Sequence, residues 1–524
     1  MPIMNRRQFL AALSAGATGG ALSGCSSPLG SGASTPGVPT ARDGTAAASG
    51  SASSESVNTG TQQTTARTAT SEPAPSYYGV EFDRAIDVVA DLGADPTGSD
   101  PIDDIIDEHY RDGTVLEFPP GSYLVERSHH FNSGENVDRW GMVGTGASRR
   151  DVQFVFPKGN ETANPTDRHY VLNVQSGTDH VLADMTMQQT PDTVTGVGMI
   201  LALSDGLHVE NFEFAGFNPV GQYAPGSCII AGLRDVSGVG TIKHFVATGG
   251  GVMDTYPHRR NAILCGAFHR GELRLLDHDI RNMGSNAHYT SNHRGCVRTE
   301  GCYFENNDNA NIRISGGQSG GHPTKDSWAK DCTVVVDIDA AKDPPDGESY
   351  EFIRGIKCDY GEDALVEDTD VIYKSAPAAP FCVGVLHNHG KATFRNVRVR
   401  SDVDGIGPLF EGQPNGAPVV LENVRLTGTA GEFSRGRAAL SLRQRDESIV
   451  RDSCVKLTGG NQNGIWFQGS EGCQIQNVSI DVPGEQILTD GAEPTLDAIS
   501  DDGPCVGPVD LSDRYRRMRA RVDS

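Results

Sequence analysis

The sequence predicts an all-β solenoid, a parallel β-helix of short stacked strands, on three observations. A pattern of apolar, any, Asx, apolar, any, apolar recurs from Asp184 to Asn477, as expected where each repeat is one unit of a stack. Gly (63) and Pro (28) are plentiful and hydrophobic residues make up only 37%, which favours frequent turns over long buried helices. Helical periodicity is confined to one short stretch near the start of the folded region.

The chain opens with Asn5-Arg6-Arg7-Gln8-Phe9-Leu10, a short apolar run from Ala11 to Leu22, and then Leu22-Ser23-Gly24-Cys25. Paired arginines before such a run resemble a twin-arginine export signal, and Leu-Ser-Gly-Cys resembles a lipobox. Residues 1–24 are therefore expected to be a signal peptide. Cys25 is expected to carry the lipid that holds the protein on the outer face of the membrane, where two acyl chains are needed for stable anchoring. Residues 25–78 are mostly Ser, Thr, Gly, Ala and Pro. They bury too little apolar surface to offset ordering, which predicts a flexible tether with a root-mean-square span of roughly 40 Å.

The folded region, expected over 79–482, begins with the turn Asp91-Leu92-Gly93-Ala94-Asp95-Pro96-Thr97-Gly98. A helix candidate follows, with Ile102, Ile105, Ile106, His109 and Tyr110 on one face. Next comes Gly113-Thr114-Val115-Leu116-Glu117-Phe118-Pro119-Pro120-Gly121-Ser122-Tyr123. This succession of turn, capping helix and strand pair resembles the start of pectate-lyase-like right-handed parallel β-helix proteins. The resemblance implies a fold shared by polysaccharide lyases, glycoside hydrolases and phage tailspikes, so it speaks to architecture far more than to chemistry.

The repeat anchors fall at Asp184, Asn211, His244, Asp277, Gly301, Asp331, Asp368, Asn396, Asn423, Asp452 and Asn477, every 24 to 37 residues. Strand side chains alternate faces, yet the apolar positions two before and one after each anchor are three apart. The chain must therefore bend at the anchor, a place where Asp and Asn are tolerated and can bond local backbone. Stacked coils would line these residues up as a ladder. The residue before each anchor should point outward and build a column of alternating charge from Glu210 through Lys330, Glu367, Arg395, Glu422 and Arg451. Cys302, Cys332 and His278 fall on an inward column and read as packed core. Residues 483–524 leave the repeat and are expected to form a cap or tail. Asn160-Glu161-Thr162 is a usable N-glycosylation sequon, whereas Asn477 in Asn477-Val478-Ser479 is an anchor and is expected to be inaccessible.

Net charge is −24, and only nine of the 44 basic residues are Lys, which argues against nucleic acid as a partner. The acidic, lysine-poor balance suits hydration in concentrated salt and predicts a halophilic archaeal source.

Chemistry is expected in the coils between His244 and His322, which hold seven of the fifteen His. There His288, Tyr289, Arg259 and Arg313 are candidates for the base and charge-stabilising groups of a lyase acting on an acidic polysaccharide. Asp254, Asp279 and Asp308 are candidate Ca²⁺ ligands. Asp279 and Asp308 are also the best carboxylate pair for a glycoside hydrolase. Polygalacturonase-type relatives carry N-T-D, D-D, G-H-G and R-I-K on successive coils. Asn307-Asp308, Gly321-His322 and Arg354-Gly355-Ile356-Lys357 echo them, but the paired Asp is absent. Near-equal offsets from the anchors predict that His288 stacks over Asn311. The alternative to an enzyme is a non-catalytic glycan-binding or structural protein of the cell envelope.

Overall fold

The computed structural model describes residues 74–507, apart from 133, 157–168, 190–196, 217–225, 251–259, 317–321, 323–325, 342–349, 351–352, 432–437 and 492. The leader, Cys25 and most of the tether lie outside the described residues, as do Asn160, Asp254 and Arg259. The chain is a right-handed parallel β-helix. Each coil runs through one strand, bends at the anchor, continues into a second strand, and crosses a loop to a third. The third strands stack into a sheet of 13 among the described residues, from His130–Phe131 to Ile487–Asp490.

The bend has the backbone geometry its sequence requires. All eleven anchors have positive φ, from 49° at Asn211 and Asp331 to 69° at Gly301. The left-handed region is costly for most L-residues, while Asn, Asp and Gly visit it readily. Their side chains also bond along the stack: Asn211 donates to Asp184 at 2.7 Å, Asn396 to Asp368 at 2.9 Å, Asn423 to Asn396 at 2.8 Å and Asn477 to Asp452 at 2.7 Å. Asn477 is exposed, contrary to the expectation, although this bond ties its amide to the ladder.

The third residue after every anchor is buried, from Met187 to Ile480. The residue before the anchor faces out and is in register through the stack. Lys330 and Arg395 reach Glu367 at 2.8 and 2.9 Å, Arg395 reaches Glu422 at 2.8 Å, and Arg451 also pairs with Glu422.

The capping helix is short, Asp103–Glu108. Ile102, Ile106 and Tyr110 close the open end of the core, with Tyr110 stacked 3.6 Å from Phe131 and edge-on to Trp140. At the far end the coil continues past Pro483: Ile487–Asp490 and Thr495–Ser500 pair with the preceding coil. The repeat thus extends beyond its expected limit. A disulfide between Cys454 and Cys505 clips the following segment to the helix, and Arg425 donates to Pro504 O at 2.8 Å.

Candidate functional site

Strand pairing places the candidate residues of the central coils on different faces. His288 pairs with Ile312 and Tyr289 with Arg313, so His288 does not stack over Asn311. A one-residue slip exchanges the faces, and the consequence here is chemical. His288 points into the core, fully buried, against the ring of Phe304. His278 Nε2 donates to Ile242 O at 2.8 Å, which leaves its Nδ1 to accept from His288 Nε2 at 2.9 Å; His288 Nδ1 lies 3.3 Å from the Thr299 hydroxyl. Burial holds His288 well below the ordinary histidine pKa and brings His278 down to about 3, so both rings are neutral. His288 is a core residue with no route to a polysaccharide, and the expectation that it acts as a base is corrected.

Asp279 and Asp308 are also displaced from their expected role. Asp279 is buried with both carboxylate oxygens held by Arg281, at 2.7 and 2.9 Å. Asp308 is fully buried in the turn formed with Asn306 and Asn307. A hydrolase needs one carboxylic acid able to protonate the leaving oxygen. An ion-paired Asp279 and an enclosed Asp308 do not supply it. Among the described residues no third acidic, His or Cys group joins them as a cation site.

Cys265, His269 and His293 do bring potential ligand atoms within 4.8 Å of one another. His269, however, accepts from Leu233 N–H at 3.1 Å and donates to Cys296 O at 2.9 Å, and burial pushes the Cys265 thiol well above its usual pKa. With both ring nitrogens engaged, His269 has no lone pair to offer a metal.

Tyr289 and Arg313 do come together, on the outer face of the third sheet. Their neighbours His288, Thr290, Ile312 and Ile314 are buried in the core, so alternation turns Tyr289 and Arg313 to the outer face, where Tyr289 is half-buried and Arg313 keeps 9% exposure. The Arg313 guanidinium lies 3.8 Å from the Tyr289 ring centroid and 5.9 Å from that of Tyr360. The next coil supplies Lys357, which pairs with Arg313 in register, and Asp359. Arg313 Nη2 and Lys357 Nζ each approach Asp359 Oδ2 at 2.8 Å. Burial pushes the Lys357 ammonium down, Arg313 adds to the effect, and Asp359 restores part of it, leaving a pKa of about 8. Burial raises the Asp359 carboxyl, but Lys357 and Arg313 outweigh it and hold the group below its ordinary value. Asp359 Oδ1 is buried without a protein partner. Farther along the same face Glu411 pairs with Arg443.

Lys357 and Asp359 are absent from the sequence-derived candidates, because Arg354-Gly355-Ile356-Lys357 reads only as an echo of another family's motif. A signal was available in the alternation of the strand Arg354–Cys358. Ile356 and Cys358 are core residues, which sends Lys357, one of nine lysines in the chain, to the outer face beside Arg313.

No family profile and no curated protein sequence matches this chain. Solved structures of similar outline include the mannuronan C-5 epimerase AlgE6 A-module of Azotobacter vinelandii, at 14% identity, covering 80% of this chain and 100% of that one with a TM-score of 0.32. The catalytic domain of a GH87 alpha-1,3-glucanase in complex with nigerose matches at 10% identity, over 84% and 70% of the two chains, with a TM-score of 0.39. The Dettilon tailspike protein matches at 11% identity, over 73% and 68%, with a TM-score of 0.37.

Proposed function

We propose that this protein is a polysaccharide lyase that cleaves uronate-containing chains on the outer face of the third sheet. The observation that carries the reading is the cluster of Lys357, Arg313 and Asp359, with a lysine whose pKa of about 8 makes the neutral amine abundant in mildly alkaline solution. In this reading Arg313 engages the sugar carboxylate and stabilises the charge that develops when the adjacent carbon loses its proton. Neutral Lys357 Nζ takes that proton. The carbon–hydrogen electron pair becomes a carbon–carbon double bond, the glycosidic carbon–oxygen bond breaks, and the leaving oxygen accepts a proton from the lysine ammonium. Asp359 positions Lys357 and Arg313, and Tyr289 supports the Arg313 guanidinium by a cation–π contact. No calcium-dependent step is part of this reading.

We further propose that the protein is exported and held at the cell surface through Cys25. The Cys454–Cys505 disulfide supports an oxidising destination.

The test is incubation of the purified protein with a panel of acidic polysaccharides in high salt. Ultraviolet absorbance from an unsaturated product, lost in Lys357→Met, is the expected result. New reducing ends without that absorbance would mean hydrolysis, and binding without either product would mean a glycan-binding protein; both outcomes reject the lyase.

A further inference from the structure

A second feature lies where strands of the same sheet end, three coils from the Lys357 cluster. A cleft of about 620 Å³ is lined by Arg234, Phe268, Arg270, Asn292, His293 and Arg294. The Phe268 ring packs against the sheet at two glycines. A Cβ at Gly232 or Gly266 would come within 2.8 or 2.3 Å of that ring, so both coils carry glycine where the aromatic rests. Arg234 is fixed in place, with Nε 3.1 Å from Gln175 O and Nη2 3.0 Å from Gln175 Oε1, and its guanidinium lies 5.1 Å from the Phe268 centroid. Arg270 and Arg294 are exposed at the rim. His293 is neutral, because burial and the neighbouring His269 bring its pKa down to about 3, so the positive charge of the cleft is that of the arginines.

Three arginines around one cleft stand out in a chain of net charge −24. An aromatic ring in a cleft lined by three arginines suits a sugar that carries an anionic substituent, since arginine binds planar oxyanions in bidentate fashion. Phe268 follows the strand Asn261–Cys265, three coils from Lys357, or about 14 Å along the axis at about 4.8 Å per coil. Only a chain of several sugar units reaches both places.

We propose that this cleft is a flanking subsite that binds a carboxylated or sulfated sugar of the same polyanionic chain that is cleaved at Lys357. The assignment rests on the lyase reading only for the position of the reactive unit; the anion-binding property stands on the cleft itself.

The test uses the full chain and four probes, alginate, chondroitin sulfate, dextran and a single-stranded DNA, with binding measured across a salt series. The wild type is expected to bind both anionic chains, more weakly as salt rises, and to leave dextran unbound. Arg270→Glu with Arg294→Glu is expected to weaken binding at least tenfold and flatten the salt dependence, while the melting temperature stays unchanged. Arg270→Lys with Arg294→Lys should recover part of the affinity. Equal affinity in the wild type and the Glu double variant overturns the proposal. Equal binding of dextran, or tighter binding of a single-stranded DNA of matched length, overturns it as well. Lys357→Met separates the two claims: retained product formation in that variant rejects the lyase, while binding by the arginine variants alone decides the subsite.

Discussion

Lys357 sits where three influences on one ammonium compete, and their balance is open to measurement. Burial and Arg313 lower its pKa while Asp359 raises it. Activity that needs the neutral amine should therefore rise with pH through a midpoint near 8, and a pH–rate profile checks this. Asp359→Asn removes the group that favours the charged form, so the rising limb should move to lower pH. Lys357→Met should lower kcat by roughly 10²–10⁴-fold, the usual contribution of a positioned acid–base group. His288→Ala separates core from chemistry. The ring fills space between His278 and Phe304 and bonds His278, so its loss should cost about 2–4 kcal/mol in denaturant unfolding. In conditions where the variant stays folded, activity should persist.

At the scale of the element, the bend and its ladder make the coils stackable. Asn423 has φ of 52°, donates to Asn396, and accepts from Arg425 Nη2 at 2.7 Å. Asn423→Ala loses those bonds and places a residue with a Cβ in the left-handed region without polar compensation, so it should cost about 2 kcal/mol by chemical denaturation. Asn423→Gly keeps the conformation and should cost less, as Gly301 at the equivalent bend indicates. The turns next to the third sheet hold a different device. Arg445 is fully buried, and its guanidinium donates to the carbonyls of Gln413, His389, Gly390 and Leu386, at 2.5, 2.9, 3.0 and 2.6 Å. It ties successive coils together through their backbone carbonyls. Arg445→Met should destabilise by about 3 kcal/mol or more, read as a shift in the unfolding midpoint, because these carbonyls lose a charged donor in a buried site.

Across the whole molecule each coil rests on its neighbours, so stability is expected to propagate along one axis. The helix that caps the first coils protects one end. The other end depends on the last coil and on the clip from Cys505 to Cys454, which closes a sequence separation of 51 residues. In the chain-entropy account such a loop contributes about 4 kcal/mol. Cys505→Ser should lower stability by up to that amount. Hydrogen exchange should then speed up first in Ile487–Asp490 and Thr495–Ser500, with little change near Trp140.

The sequence by itself determined the solenoid, its bends, the inward residues and the outward charge column. These follow from strand alternation and from the backbone freedom of Asp, Asn and Gly, which are local properties repeated at every coil. What only the tertiary structure decided was the register between coils on the third sheet. Its strands lack the anchor that marks the bend, and its connecting loops vary in length: Arg313 lies 12 residues after Gly301, but its partner Lys357 lies 26 after Asp331. Equal counts from Asp277 and Gly301 do pair His288 with Ile312, and the expected Asn311 comes from offsets that differ by one residue. That one residue decides that His288 enters the core while Tyr289 and Arg313 share the outer face. Strand pairing, set by packing across coils, fixes which side chains share a surface.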